Sequence, residues 1–304
     1  MFVTEGSDVS ALVDRVGGIG LVGAHSAGSV ASIRARLDAA PTTPLLASDE
    51  EGGRVQRMRG ILGSLPSAAR IASLAPEDAH AAYTTYSDGM AAAGIDLNFA
   101  PVLAVGGGAL GDRSYGDDPA VVTERAALFV DAMQGAGVLP VLKHFPGLGS
   151  VGVNTDEGVA VTPPLDDLRA RDLVPYARLL ADDPVGVMVS HVRIPGLTGD
   201  TPASLTPATY RLLEDEFGFD GLVVTDSLGA GAVASNWSTS DAAVLAVQAG
   251  ADMVVFTDPA QLDPVLEGLR AAVDDGRIPE ARVRDAAEDV LEAQGVEPCS
   301  LVRQ

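Results

Sequence analysis

Short apolar runs recur along the chain, and each is followed by a stretch whose apolar residues return at helical spacing. The runs predict strands at Phe2–Thr4, Gly18–Val22, Pro44–Ala47, Ile95–Phe99, Leu139–Lys143, Gly186–Ser190, Gly221–Thr225 and Asp252–Phe256. Most are continuous rather than alternating, the pattern of parallel strands buried on both faces. Helical spacing predicts helices over Ser29–Ala39, Ala79–Ala93, Pro119–Gln134, Leu165–Leu180, Thr206–Phe217, Ser240–Ala249, Pro259–Asp274 and Pro279–Ala293. Pro207 stands at a helix-start position, where its missing N–H costs nothing. Strands alternating with helices over 304 residues favour an α/β fold of the (β/α)8 TIM-barrel type over an open sheet. No internal repeat, low-complexity linker or compositional break interrupts the pattern, so residues 1–304 are expected to form a single domain.

Composition narrows the partners. The net charge of -22, from 42 acidic and 20 basic residues, disfavours nucleic acid and anionic membrane surfaces. No apolar run approaches the roughly 18 residues of a membrane span. The start, MFVTEGSDVS, lacks a basic region and a long apolar region, so no signal peptide is read and a cytoplasmic protein is expected. The lone Cys299 makes no internal disulfide. His25, His80, His144 and His191 lie far apart without zinc-type spacing, so no metal or other cofactor is expected.

In a barrel of this kind chemistry sits at the C-terminal strand ends and the loops after them. The third strand runs into Ser48, Asp49, Glu50, Glu51, Gly52, Gly53 and Arg54, and the loop after the fourth carries Asp112, Arg113 and Ser114. Lys143 and His144 end the fifth, Ser190 and His191 the sixth, and Thr225, Asp226 and Ser227 the seventh. Lys143 is the single lysine among 20 Lys and Arg, which suggests a task suited to a compact ammonium. Each residue has a plainer reading. Asp226 can cap a helix, Asp49 can cap a turn, Arg113 can pair with Asp112, Asp117 or Asp118, and Lys143 and His144 can face water. Their recurrence at the same end of different strands favours a shared site. A ring of charged and hydrogen-bonding groups suits a polyhydroxylated ligand such as a sugar. After Lys143 and His144 comes a Pro/Gly-rich loop with Pro146, Gly147, Gly149 and Gly152, expected to be irregular and mobile.

The segments SDEEGGRVQR (48–57), NFAPV (98–102), DRSYGDDP (112–119), KHFPG (143–147), MVSH (188–191), TPASLTP (201–207) and VTDSL (224–228) together resemble family 3 glycoside hydrolases. The closest likeness is to the single-domain bacterial β-N-acetylglucosaminidases of that family. The resemblance implies that Asp226 is a catalytic nucleophile. It also implies that Asp49, Arg113, Lys143 and His144 grip the hydroxyls of the sugar. Lys143, if near Asp226, would favour its ionised form.

The resemblance also exposes a departure. In the N-acetylglucosaminidase branch the proton donor is a His on the loop after KHFPG, paired with an Asp two residues earlier. Those positions here are Asp156 and Asn154. Leu148 and Ala104 likewise replace a His and an acidic residue common in the family. Three readings follow. One is a retaining enzyme acting on a β-linked sugar, such as a β-N-acetylglucosaminide, with a substitute or weakened acid/base drawn from Asp156, Glu157 or His191. Another is an enzyme that needs no such acid, acting on a good leaving group or passing the sugar to another acceptor. The third is a pseudo-glycosidase that binds a saccharide or serves in biosynthesis. Retention of Asp226, Lys143 and Arg113 favours the first two. Against the substitutes, Asp156 and Glu157 can be solvated loop charges, and His191 can be a satisfied residue behind Asp226.

Overall fold

The structure, a computed structural model, describes residues 1–181 and 185–296, so Cys299 lies outside the described residues. Its main sheet has eight strands: β1 (Phe2–Val3), β2 (Gly18–Leu21), β3 (Leu45–Ser48), β4 (Leu97–Asn98), β5 (Leu139–Phe145), β6 (Gly186–Val189), β7 (Val223–Ser227) and β8 (Met253–Val255). They are hydrogen-bonded in chain order, and every pairing is parallel. The Phe2 N–H donates to the Phe256 carbonyl at 3.1 Å, which joins the two edges into a ring. This is a (β/α)8 barrel, and each predicted strand coincides with one of its staves.

The longer helices are α1 (Ala27–Asp38), α2 (Pro76–Ala92), α3 (Pro119–Gly135), α4 (Leu165–Ala170), α5 (Val174–Leu179), α6 (Pro207–Phe217), α7 (Thr239–Ala249), α8 (Leu262–Asp274) and α9 (Glu280–Ala293). Their starts follow local chemistry. Ser26, Asp118 and Ser238 each accept a hydrogen bond from a backbone N–H of the first turn, and Pro76, Pro119 and Pro207 occupy first-turn positions. Gly218, at φ +63°, ends α6 in the left-handed conformation. None of the helices among the described residues is long and apolar enough to cross a membrane.

Three expectations need correction. The predicted helix Leu165–Leu180 is two helices, α4 and α5, because Arg171 leaves helical geometry at φ -137° and ψ -69°. Strand β5 does not stop at Lys143 but continues to Phe145, with a register shift against β6 between those two residues. The β/α alternation is also uneven. The segment between β1 and β2 is built of turns, whereas β8 is followed by both α8 and α9. From α9, Val290 and Ala293 pack against the inner cluster, and Gln294 at its end donates to the Gly17 carbonyl at 3.2 Å, so this last helix covers the N-terminal end of the barrel.

Side-chain parity sets what faces inward. Leu45, Ala47, Leu97, Val141, Met188, Val224 and Val255 form the cluster inside the ring, with the Phe2 and Phe99 rings 5.7 Å apart. Leu46, Leu142, Val187 and Val223 belong instead to the larger layer between strands and helices. A strand alternates its faces. Asp49, Lys143 and Asp226 each follow an inward residue (Ala47, Val141 and Val224) by two positions, at the C-terminal mouth.

Candidate active site

At that mouth lies a cleft of ≈ 280 Å³ lined by Asp49, Glu51, Arg57, Arg113, Lys143, His144, Asn154, Asp156 and Asp226, with Val22, Val55, Leu110 and Leu148 among its apolar walls. Its floor is a ladder of ion pairs. Arg57 meets Asp49 at 3.2 Å, and Asp49 meets the Lys143 ammonium at 2.7 Å. Lys143 also meets Glu51 at 2.7 Å, and Glu51 receives Arg113 through two bonds of 2.7 and 2.8 Å. Such two-pronged guanidinium–carboxylate bonding fixes both planes. Arg113 therefore does not pair with its acidic neighbours in sequence; Asp112 lies 3.3 Å from Arg54 instead.

Burial raises the stakes of this ladder. It would lift the Glu51 pKa, but Lys143 and Arg113 overcome it and hold the carboxyl at about 2. Asp49 follows the same pattern, with burial opposed by Lys143 and Arg57 and a net shift downward. Burial disfavours the Lys143 charge, yet Asp49 and Glu51 outweigh it and raise the pKa. The ladder is thus held fully ionised.

Glu51 owes its direction to a small antiparallel ribbon, Glu50–Gly52 against Val55–Gln56, that rises from the end of β3. Gly52, at φ +93°, lets the ribbon turn tightly, and a Cβ there would sit 2.2 Å from the Pro66 carbonyl. The neighbouring Glu50 is fully buried and serves the scaffold. It accepts from Ser48 Oγ (2.6 Å), Tyr86 Oη (2.7 Å) and the backbone N–H groups of Arg57 (2.9 Å) and Met58 (3.1 Å). Successive acids on this ribbon therefore part company, Glu50 into the scaffold and Glu51 into the cleft.

Across the cleft, Asp226 accepts from the Ser227 N–H at 2.7 Å, and its Oδ2 lies 3.9 Å from His144 Nε2. Burial raises the Asp226 pKa; His191, the Ser227 N–H and Lys143 pull the other way without cancelling it, and Asp156 adds to the rise. Lys143 is thus a minor influence on Asp226, because its ammonium is committed to Asp49 and Glu51. His144 is held neutral by burial and by the positive Lys143 and Arg113, with its pKa well below the ordinary value. Its Nδ1 is buried without a hydrogen-bond partner.

The loop after β5 is irregular, as predicted, but it is packed. Leu148, Val151 and Thr155 are buried. Val151 accepts from the Ala109 N–H, and a Cβ on Gly149 would fall 1.9 Å from the Val105 carbonyl. Farther on, Thr155 and Asp156 carbonyls accept from Ala232 and Gly231 N–H groups, each at 3.0 Å. The loop is thereby tied to the segment following Asp226. Asn154 Nδ2 donates to Asp156 Oδ2 at 3.1 Å, and the Asp156 N–H returns a bond of 3.2 Å to Asn154 Oδ1.

Of the residues singled out in sequence, Asp49, Arg113, Lys143, His144, Asp156 and Asp226 meet at the cleft. Glu157 is exposed and does not line it. His191 is sealed behind it, 1% exposed, with both ring nitrogens engaged: Nδ1 with Ser204 Oγ at 2.7 Å and Nε2 with the Ser227 carbonyl at 2.8 Å. Trp237 is half-buried and packs against the main core. Sequence reasoning placed Glu51 at a strand end without giving it a task, and missed Arg57. The signal was there in the Gly52–Gly53 pair, which marks a tight turn and hence a returning strand that brings Arg57 back beside Asp49. Among the described residues no group of three or more His, Cys, Asp and Glu is arranged to hold a metal ion.

Comparison with known proteins agrees with this architecture. Residues 14–293 match the family model described as "Glycosyl hydrolase family 3 N terminal domain". The beta-hexosaminidase LpqI of Mycobacterium tuberculosis is 38% identical over 315 aligned positions, covering 97% of this chain and 80% of LpqI. A glycosyl hydrolase of GH3 family from Mycobacterium smegmatis superposes with a TM-score of 0.91 at 39% identity, covering 96% of this chain and 93% of that one. The beta-N-acetylhexosaminidase of Beutenbergia cavernae gives a TM-score of 0.86 at 32% identity, with 96% of each chain covered. With a family match across most of its length and a relative 38% identical over 97% of this chain, the chain belongs to glycosyl hydrolase family 3.

Proposed function

We propose that the protein is a retaining β-N-acetylhexosaminidase in which Asp226 is the nucleophile and Asp156 replaces the family's loop histidine as proton donor and acceptor. One observation carries the assignment of Asp156: it lines the same cleft as Asp226, on a loop tied by its Thr155 and Asp156 carbonyls to the segment after Asp226. Glu157 and His191 lack that access. Asn154 supports the assignment by donating to one oxygen of Asp156, leaving the other for a proton. The acetamido sugar rests on the relatives, which carry hexosaminidase names.

In the first step an Asp226 oxygen bonds to the anomeric carbon while the glycosidic C–O bond breaks, and the Asp156 proton passes to the departing oxygen. In the second, Asp156 takes a proton from water, the water oxygen bonds to the anomeric carbon, and the bond to Asp226 breaks. Asp49, Arg113, Lys143 and the neutral His144 bind the ring. Bonds from sugar hydroxyls to the Asp49 carboxylate strengthen as positive charge develops on the sugar, while Arg57, Lys143 and Arg113 hold the carboxylates of the ladder in place.

The test is intact mass after incubation with a ring-fluorinated N-acetylglucosaminide bearing a good leaving group, beside an Asp226→Asn control. An adduct of one sugar in the wild type, absent in the variant, supports the reading. No adduct with this or related fluorosugars, together with measurable saccharide binding, would overturn it in favour of a binding protein.

A further inference from the structure

His191 is the buried titratable group at the cleft that the reaction above leaves without a task. It bridges two strand ends. Ser227 O can only accept, so His191 Nε2 carries a hydrogen and donates at 2.8 Å; Nδ1 then faces Ser204 Oγ at 2.7 Å. Ser204 is itself pinned. It is fully buried, its N–H donates to the Ser190 carbonyl at 3.0 Å, and its carbonyl accepts from Tyr210 Oη at 2.7 Å. A continuous chain therefore runs from α6 through Ser204 and His191 to Ser227, whose N–H holds Asp226 Oδ1 at 2.7 Å.

We propose that His191 is a positioning residue for Asp226, fixing the Asp226–Ser227 backbone from the side so that the carboxylate stays aimed into the cleft. This rests on the reading of Asp226 as nucleophile. The Ser227 carbonyl also accepts from the Ala230 N–H at 2.9 Å. Loss of His191 would thus leave no orphaned acceptor there. It would remove the sideways tie between the ends of β6 and β7, and with it the aim of one carboxylate oxygen. Nothing in this chain touches the sugar, so the effect belongs to the rate of attack rather than to binding.

The experiment compares His191→Leu, His191→Gln and Ser204→Ala, all checked for folding by circular dichroism, in the rate of labelling by the fluorosugar. His191→Leu should slow saturated labelling about 10²-fold, as misplacement of a reacting group does. The half-saturating concentration should stay within a factor of about three, the mark of an interaction made in the transition state. His191→Gln, which can still donate to Ser227 O, should recover most of the rate. Ser204→Ala should slow labelling by about tenfold, a share of the general loss, and carries the test if His191→Leu does not fold. The proposal is overturned if the folded variants label at the wild-type rate, or if His191→Gln is as slow as His191→Leu. Undiminished labelling of Asp226→Asn would instead remove the nucleophile reading beneath it.

Discussion

Lys143 and Glu51 meet at 2.7 Å with side chains only 3% and 4% exposed, so each holds the other's charge almost out of reach of water. Without Lys143, Glu51 keeps Arg113 and Asp49 keeps Arg57, but two buried carboxylates lose the cation they share. Lys143→Met should therefore destabilise the fold, by less than the ~3–5 kcal/mol of a fully stranded buried charge, measured by urea unfolding at neutral pH. Lys143→Arg should not restore sugar binding, because a planar fork cannot replace an ammonium shared between two carboxylates.

The ladder should make stability depend on acid. Glu51 titrates at about 2 in the folded protein, below its ordinary value of 4.5, so the folded state favours the charged form. Its contribution is complete above the unfolded pKa and is lost as pH falls through about 2. That difference corresponds to roughly 3 kcal/mol. Unfolding free energies measured from pH 7 downward should decline across this window, and Glu51→Gln should flatten the decline while lowering stability at neutral pH.

Asp156→Asn should separate substrates by leaving group. For poor leaving groups, the lost proton transfer should cost about 10²–10⁴-fold in kcat/KM. Activated aryl glycosides should lose much less in the attack step. Glu157→Gln should match the wild type on both. Equal losses on both substrate types in Asp156→Asn would argue that Asp156 positions the loop instead of moving the proton.

Asp172 should reward neutralisation. Burial pushes its pKa up to about 6, and its Oδ1 has no partner. A carboxyl raised in the folded state adds most to stability below its unfolded pKa and loses that contribution as pH rises through about 6. Asp172→Asn should raise the melting temperature at pH 8, by an amount corresponding to about 3 kcal/mol or less, and change it little at acid pH.

Asp172 also marks a break that was legible locally. The apolar spacing of 165–180 reads as one helix, but Pro175 lacks an N–H and its ring crowds the carbonyl of Arg171, so the helix ends there and Pro175 stands in the first turn of α5. What the sequence does not show is the tertiary fit: Asp172 turns beneath Gly147, where a Cβ would lie 2.6 Å from the Asp172 Cβ. The barrel strands were legible because runs such as Val187–Val189 are apolar on both faces, and no other element explains so many of them. Asp49, Lys143 and Asp226 were legible through parity at strand ends. Glu51 was hidden in a row of three acids, since its separation from Glu50 depends on a ribbon that two glycines create. Asp156 was named as a candidate, but its advantage over Glu157 lies in the bonds to Gly231 and Ala232, which join loops 75 residues apart in sequence (156 to 231).

The ring is joined by Phe2 and Phe256, the strand-to-strand contact most distant along the chain among the described residues, while the ion-pair ladder spans β3 to β5 on the opposite arc. Contacts so far apart in sequence are slow to form and carry a large entropic cost of closure. The seam is then the natural place for the barrel to breathe, and the polar floor sits on staves that remain joined to one another when it does. Phe2 and Val255 also line the cleft, so opening of the seam, read as exchange of the Phe2 amide with deuterated solvent, should loosen that wall while the ladder stays assembled.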